Sequence, residues 1–151
     1  MSLKLSSSAF SDQGEIPKLY TADGTNISPP LAIADVPKGT KSLALVIDDP
    51  DAPKATPFAH WVVYDIPPST RELVEGKAPP RGATEGINDF GRRGYGGPKP
   101  PSGRHHYVFK LYALDMVIGA KEPLTKAELE AQLEGHVLDE AELVATYQRA
   151  A

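Results

Sequence analysis

Thirteen of the 29 residues between positions 76 and 104 are Gly or Pro. Both residue types interrupt helices, Gly through backbone entropy and Pro through its missing N–H and fixed ring, so this stretch is not helix. No strand period runs through it either. A loop of that length inside a compact domain is functional or disordered. Ile87, Phe90 and Tyr95 provide apolar anchors along it, which predicts an ordered, packed loop. Across the whole chain the 13 Gly and 15 Pro among 151 residues exclude a helical bundle and predict a fold rich in turns.

The segments around this loop read mainly as strands. Leu3 and Leu5 alternate with polar neighbours as in a short edge strand, and Asp23-Gly24 marks a tight turn before the Pro29-Pro30 break. Ser42 to Ile47 is a β-branched and aliphatic run that ends in DDPDAP. His60 to Ile66 (HWVVYDI) follows after a short loop, so the two strands are expected to be sheet neighbours. His105 to Leu114 (HHYVFKLYAL) carries Tyr107, Phe109, Leu111 and Ala113 on one face and Val108, Tyr112 and Leu114 on the other, predicting burial on both sides. Helix signal is confined to the end. Thr125 and Glu128 form a capping box, and Leu129, Leu133 and Val137 fall on one stripe, predicting a helix over 125–139, after which the alternation from Leu143 to Tyr147 fits a final strand at least as well as more helix.

Length and composition bound the function classes. A chain of 151 residues suits one domain with one core. No apolar run approaches the ~20 residues a membrane helix needs, and the start lacks the apolar stretch of a secretory signal. Zero cysteines exclude disulfides and thiolate metal sites, so a cytoplasmic protein is expected. A net charge of −4 excludes the basic surplus of a nucleic-acid binder. That charge is uneven. Residues 87–110 carry Arg92, Arg93, Lys99, Arg104 and Lys110 against Asp89, whereas residues 121–151 carry three basic and seven acidic groups, so an anion is expected near the middle of the chain.

Candidate chemistry lies at the strand ends. The sequence has no G-x-S-x-G elbow, no H-E-x-x-H and no P-loop, and the glycines at 91, 94, 96 and 97 lack the strand–loop–helix setting of a nucleotide site. What remains is Asp49 and Asp51 ending one strand, His60 beginning the next, and His105 and Tyr107 sharing a face at the start of the third, with His106 opposite. Brought together, imidazole and phenol groups donate to an anion while a carboxylate orients an imidazole. The plain alternatives are structural: either aspartate caps the DPDAP turn, His60 is a core histidine, and Tyr107 is a core aromatic. Two His and one Asp are a conceivable donor set for a metal, but no metal and no cofactor are expected.

Taken in order, NISPPL at 26–31, SLALVIDDPDAP at 42–53, HWVVYDIP at 60–67 and NDFGRRGYGGPKPPSGRHHYVFKLYALD at 88–115 resemble the phosphatidylethanolamine-binding protein family, in its bacterial and archaeal Raf-kinase-inhibitor-like branch. The resemblance implies a mainly β fold, a Greek-key antiparallel β-sandwich with one or two short helices near the C-terminus. It also implies a small pocket for an anion, typically the phosphate of a lipid headgroup or phosphorylated ligand. Carried over by motif, its ligand-binding residues are Asp49, His60, Gly97, Pro98, His105 and Tyr107, which selects Asp49 over Asp51. The DPDAP turn implies a cis Ala52–Pro53 bond. Ile33 stands where relatives often place Trp, and nothing after Tyr147 matches the longer C-terminal helix of the animal members, which implies a more open site.

These readings predict a binding protein with a regulatory role and no catalytic residues, whose partner is a small anionic or phosphorylated ligand. Neither nucleic acid nor stable membrane insertion is expected, and a homodimer is left open. The family's other roles suggest an alternative, a protein inhibitor of a protease or kinase acting through the 76–104 loop. A phosphoester hydrolase with Asp49 and His60 as acid–base pair ranks third.

Overall fold

The computed structural model describes residues 2–52, 57–100 and 103–148. Its strands are β1 (Lys4–Ser6), β2 (Gly14–Glu15), β3 (Leu31–Ala34), β4 (Ser42–Asp49), β5 (Phe58–Ile66), β6 (Glu72–Leu73), β7 (Thr84–Glu85), β8 (His105–Leu114) and β9 (Val137–Tyr147), with one α-helix, α1 (Lys126–Leu133), before the last strand. A 3-10 turn covers Lys18–Tyr20. The strands form a small sheet in the order β1-β3-β6 and a large one in the order β2-β9-β8-β4-β5-β7. All pairings are antiparallel except β2 with β9, which is parallel. The expected antiparallel sandwich is therefore corrected at one edge, where the chain reaches β9 without a hairpin.

Side-chain alternation assigns the two faces of the large sheet. Leu43, Leu45 and Ile47 of β4, Trp61 and Val63 of β5, and Tyr107, Phe109 and Leu111 of β8 share one core with Leu5, Leu31, Ile33 and Leu73 of the small sheet. The opposite face carries Ala44, Val46, Val62, Tyr64 and Leu114, covered by Leu129 and Leu133 of α1. Three layers result, with β4 buried along its whole length because it is covered on both sides. The face of β8 toward α1 is less covered than its sequence predicts: His106 is exposed and Val108, Lys110 and Tyr112 are half-buried.

The capping box forms as predicted. Thr125 Oγ1 accepts from the Glu128 N–H and the Glu128 carboxylate accepts from the Thr125 N–H. The helix itself is shorter than the stripe suggested. It ends at Leu133, Gly135 turns out at φ +81°, and Val137 is exposed at the start of β9. The last strand is correspondingly longer than predicted, because residues from 137 onward pair with β8. Among the described residues no helix is long and apolar enough to cross a membrane.

The 76–104 loop is ordered within its described part by its own hydrogen bonds. Asn88 is buried; its Nδ2 donates to the Gly94 carbonyl and its Oδ1 accepts from the N–H groups of Phe90 and Arg92. Tyr95 packs on the main core and donates its hydroxyl to the Tyr20 carbonyl at 2.6 Å. The predicted cis bond involves Pro53, which lies outside the described residues.

Candidate functional site

Three adjacent strands, β8, β4 and β5, end at the same side of the large sheet. Asp49 closes β4 on the face of Leu45 and Ile47, and His105 and Tyr107 open β8 on that same face. His60 arrives by a different route. By alternation it would side with Val62 and Tyr64, toward the helix. The register between β4 and β5, however, runs Ile47↔Trp61 and then Asp48↔Ala59, which leaves His60 as the extra residue of a bulge. The bulge turns its ring toward Tyr107, edge to face with the centroids 5.2 Å apart.

Each polar group has a defined role. His105 Nδ1 donates to Asp49 Oδ2 at 2.6 Å, with both side chains buried. The other oxygen of Asp49 accepts from the Asp51 N–H at 2.8 Å, so the aspartate that orients the imidazole also holds the turn. Both sequence readings of Asp49 apply to the one side chain. Asp51 points outward instead and accepts from the backbone N–H and Nδ1 of His106, a donation that lowers its pKa.

His60 Nδ1 lies 2.7 Å from the Gly96 carbonyl oxygen. A carbonyl only accepts, so Nδ1 carries the proton and a neutral His60 has its lone pair on Nε2. Burial pushes the His60 pKa down, and the Gly96 contact with the charges of Asp49, Asp89 and Asp48 only partly opposes this. Neither His60 nor His105 has a hydrogen-bond partner at Nε2 among the described residues. The Tyr107 ring contacts both imidazoles, and its Oη is the single buried side-chain polar atom without a hydrogen-bond partner among the described residues. Burial raises its pKa, with Asp49 adding to the effect, so it remains a hydroxyl and a donor.

The loop reaches this site through Gly96, which the sequence reading weighed only as part of a nucleotide-type glycine stretch. Its N–H donates to the His60 carbonyl at 2.9 Å while its own carbonyl holds the His60 ring. A Cβ on Gly96 would meet two ring carbons of Phe90 at 2.5 Å. The predicted rim pair is fastened differently: the Gly97 N–H donates to Asn26 Oδ1 at 2.8 Å and the Pro98 carbonyl accepts from the Ala22 N–H at 3.0 Å. Phe58 and Phe90 surround the outer edge of His60, with ring centroids 5.0 and 5.6 Å from its imidazole, and the Arg92 guanidinium lies 5.8 Å over Phe90. Phe58 was missed because the strand drawn from the sequence begins at His60, two residues after it.

Three of the five basic residues of 87–110 are engaged in hydrogen bonds outside the site. Lys110 bonds Asp48 on the helix-side face, Arg93 Nε donates to the Glu85 carbonyl, and Arg104 reaches Thr146. No group of three or more His, Asp or Glu side chains positioned to hold a metal ion is present among the described residues.

Comparison with known proteins agrees with the motifs. The family model described as phosphatidylethanolamine-binding protein matches residues 6–148. A UPF0098 protein of Methanothermobacter thermautotrophicus is 48% identical over 151 residues, covering 97% of this chain and 99% of that protein. One of Aquifex aeolicus is likewise 48% identical over 153 residues, covering 97% and 89%. A phosphatidylethanolamine-binding protein homolog of Chlamydia trachomatis has a similar crystal structure, with a TM-score of 0.93 at 40% identity over 99% of each chain. Escherichia coli YbcL, described as a new member of the mammalian family, gives a TM-score of 0.92 at 32% identity over 99% and 100%. With the family model spanning nearly the whole chain and the fold shared end to end, this chain belongs to the phosphatidylethanolamine-binding protein family.

Proposed function

We propose that the chain is a cytoplasmic binding protein with a regulatory role, which holds a small anionic or phosphorylated ligand between His60, His105 and Tyr107 above Asp49. The observation that carries this reading is the Tyr107 hydroxyl, buried with no partner among the described residues and flanked by two imidazoles whose Nε2 atoms are uncommitted. A buried donor left unpaired costs about 1–3 kcal/mol, a cost that a bound oxyanion would remove. Asp49 fixes one imidazole and the Gly96 carbonyl the other, so both rings are oriented before a ligand arrives. The reading is of a binder and not a catalyst: each imidazole is tethered at Nδ1, and the hydroxyl nearest to them is a phenol whose pKa is raised, which makes it a poor nucleophile.

Titration with inorganic phosphate and with phosphoethanolamine, followed by NMR, tests the proposal. Asp49, His60, His105 and Tyr107 are expected to shift together, and His60→Ala combined with Tyr107→Phe to abolish the response. Shifts confined to other residues, or unchanged binding by the double variant, defeat the reading. Turnover of a phosphoester panel that Asp49→Asn abolishes would install the hydrolase reading in its place.

One observation favours inhibition of a protease or kinase as a second reading. Phe90 is 38% exposed on a loop whose backbone is fixed by Asn88, the arrangement of a preorganised contact surface. Inhibition lost in Phe90→Ala but kept in Tyr107→Phe would support it.

A further inference from the structure

A cavity of about 320 Å³ opens between β7, the 26–28 and 76–78 segments and the Gly94–Tyr95 part of the loop. None of Asp49, His60, Gly97, Pro98, His105 and Tyr107 borders it, so it shares no residue with the site proposed above. Its volume lies at the lower end of the range for small-molecule sites. Trp61 and Tyr95 form an aromatic wall, edge to face with ring centroids 5.6 Å apart.

Polar groups without partners border the same space. Glu85 is half-buried; its Oε2 accepts from the Trp61 indole N–H at 2.8 Å, and its Oε1 has no hydrogen bond among the described residues. Arg93 donates to the backbone carbonyl of Glu85 and not to its carboxylate, and no cation among the described residues pairs with that charge. Ser28 is only 6% exposed, and its hydroxyl has no hydrogen-bond partner among the described residues. Tyr107 Oη is the single such atom sealed from solvent, so the Ser28 hydroxyl faces open space, and Ser28 borders this cavity. Asn26 Oδ1 is occupied by the Gly97 N–H, which leaves the Nδ2 protons of Asn26 to donate. Lys77 borders the cavity together with Glu85, carries the opposite charge and forms no ion pair among the described residues. Separate elements hold the two: β7 pairs Glu85 with Val63, whereas the Lys77 N–H donates to the Val74 carbonyl.

A carboxylate drawn out of water without a cation costs free energy that a matching charge recovers. Beside aromatic rings the matching charge is an ammonium, which a ring face also attracts. The Asn26 amide nitrogen and the Lys77 ammonium only donate, and they call for a carboxylate. We propose that this cavity binds a small zwitterion, a free α-amino acid, with its ammonium on Glu85 Oε1 and the Ser28 hydroxyl and its carboxylate on Asn26 Nδ2 and Lys77. The indole bond of Trp61 orients the Glu85 carboxylate before the ligand arrives.

Trp61 is the chain's one tryptophan, so a single indole N–H resonance reports on the cavity. An equimolar mixture of the common L-amino acids, and then its members one by one, is titrated to millimolar concentration at neutral pH against the whole chain. At least one member is expected to move the indole signal together with the backbone signals of Ser28, Gly76, Gly94 and Tyr95. Its N-acetyl derivative, which lacks the ammonium, and its amide, which lacks the carboxylate, should each bind at least about tenfold more weakly. Glu85→Gln keeps an oxygen for the indole to donate to but loses the charge, and should weaken binding by a similar factor. The derivatives are titrated against the parent chain, so they decide the matter whether or not the variant folds. An indole signal unmoved by every amino acid overturns the proposal, as do shifts confined to His60, His105 and Tyr107. Undiminished binding by Glu85→Gln or by the acetylated derivative overturns it too, and undiminished binding of the amide would assign the cavity to a peptide N-terminus instead.

Discussion

Tyr107 joins the interior to the site in one side chain. Its ring lies in the core with Phe109 and Leu111, while its hydroxyl is buried without a partner among the described residues. Deleting the hydroxyl therefore acts in opposite directions on folding and on binding. Tyr107→Phe is expected to leave the ligand-free protein at least as stable as the parent, with a gain of up to about 1 kcal/mol in urea unfolding, because no native hydrogen bond is lost and an unpaired buried donor is removed. The same substitution should weaken phosphate binding about tenfold or more, since a hydrogen bond to a charged group is worth roughly 1.5–3 kcal/mol. A tyrosine serving only as packing would show the same change in stability and leave phosphate binding unaltered. Asp49 shows the same economy: one carboxylate oxygen fixes His105, the role implied by the family resemblance that selects Asp49, and the other closes the turn to Asp51, the role turn chemistry offered for either aspartate.

At the level of elements, the glycines of the loop matter for what they allow to approach. Gly97 lies against the 20–26 segment so closely that a Cβ would come within 2.3 Å of Asn26 Oδ1 and 2.4 Å of the Tyr20 carbonyl oxygen. Gly97→Ala should destabilise the protein by about 1–3 kcal/mol, the cost of forcing an extra carbon into a packed contact. It should also weaken phosphate binding, because Gly96, the residue before it, holds His60. Urea denaturation and a phosphate titration on the same variant check both; a stability loss below about 0.5 kcal/mol would mean that the loop and the 20–26 segment separate easily. The bulge in β5 is the second decisive element. Inserting one residue between Ile47↔Trp61 and Asp48↔Ala59 moves His60 from the helix side to the site side without disturbing Trp61 or Val62 in their cores.

For the molecule as a whole, α1 is fastened to the large sheet by charge as well as by leucines. Asp48, 1% exposed on the face opposite the site, lies 3.3 Å from Lys110 Nζ and 3.5 Å from Lys126 Nζ, so strand and helix neutralise one buried carboxylate. Replacing both lysines by methionine would leave that charge uncompensated and should cost about 3–5 kcal/mol, whereas either single replacement leaves one partner and should cost clearly less. Equilibrium unfolding of the three variants decides this, and near-additive small losses would show that water reaches Asp48. Such couplings mark the limit of what the chain discloses in one dimension. Alternation and β-branched runs located β4, β5 and β8, the Thr125–Glu128 pair located the helix start, and the motifs named the residues of the candidate site, because these are local properties of a few consecutive side chains. The stripe at Leu129, Leu133 and Val137 misplaced the helix end, since pairing of β9 with β8 outweighed helical spacing. The parallel β2–β9 edge, the bulge that turns His60, the Gly96 carbonyl that sets its tautomer and the orphan hydroxyl of Tyr107 were decided only by the tertiary structure. The first three depend on a partner far away in the sequence and the last on finding none among the described residues, and neither circumstance is encoded in a run of consecutive side chains.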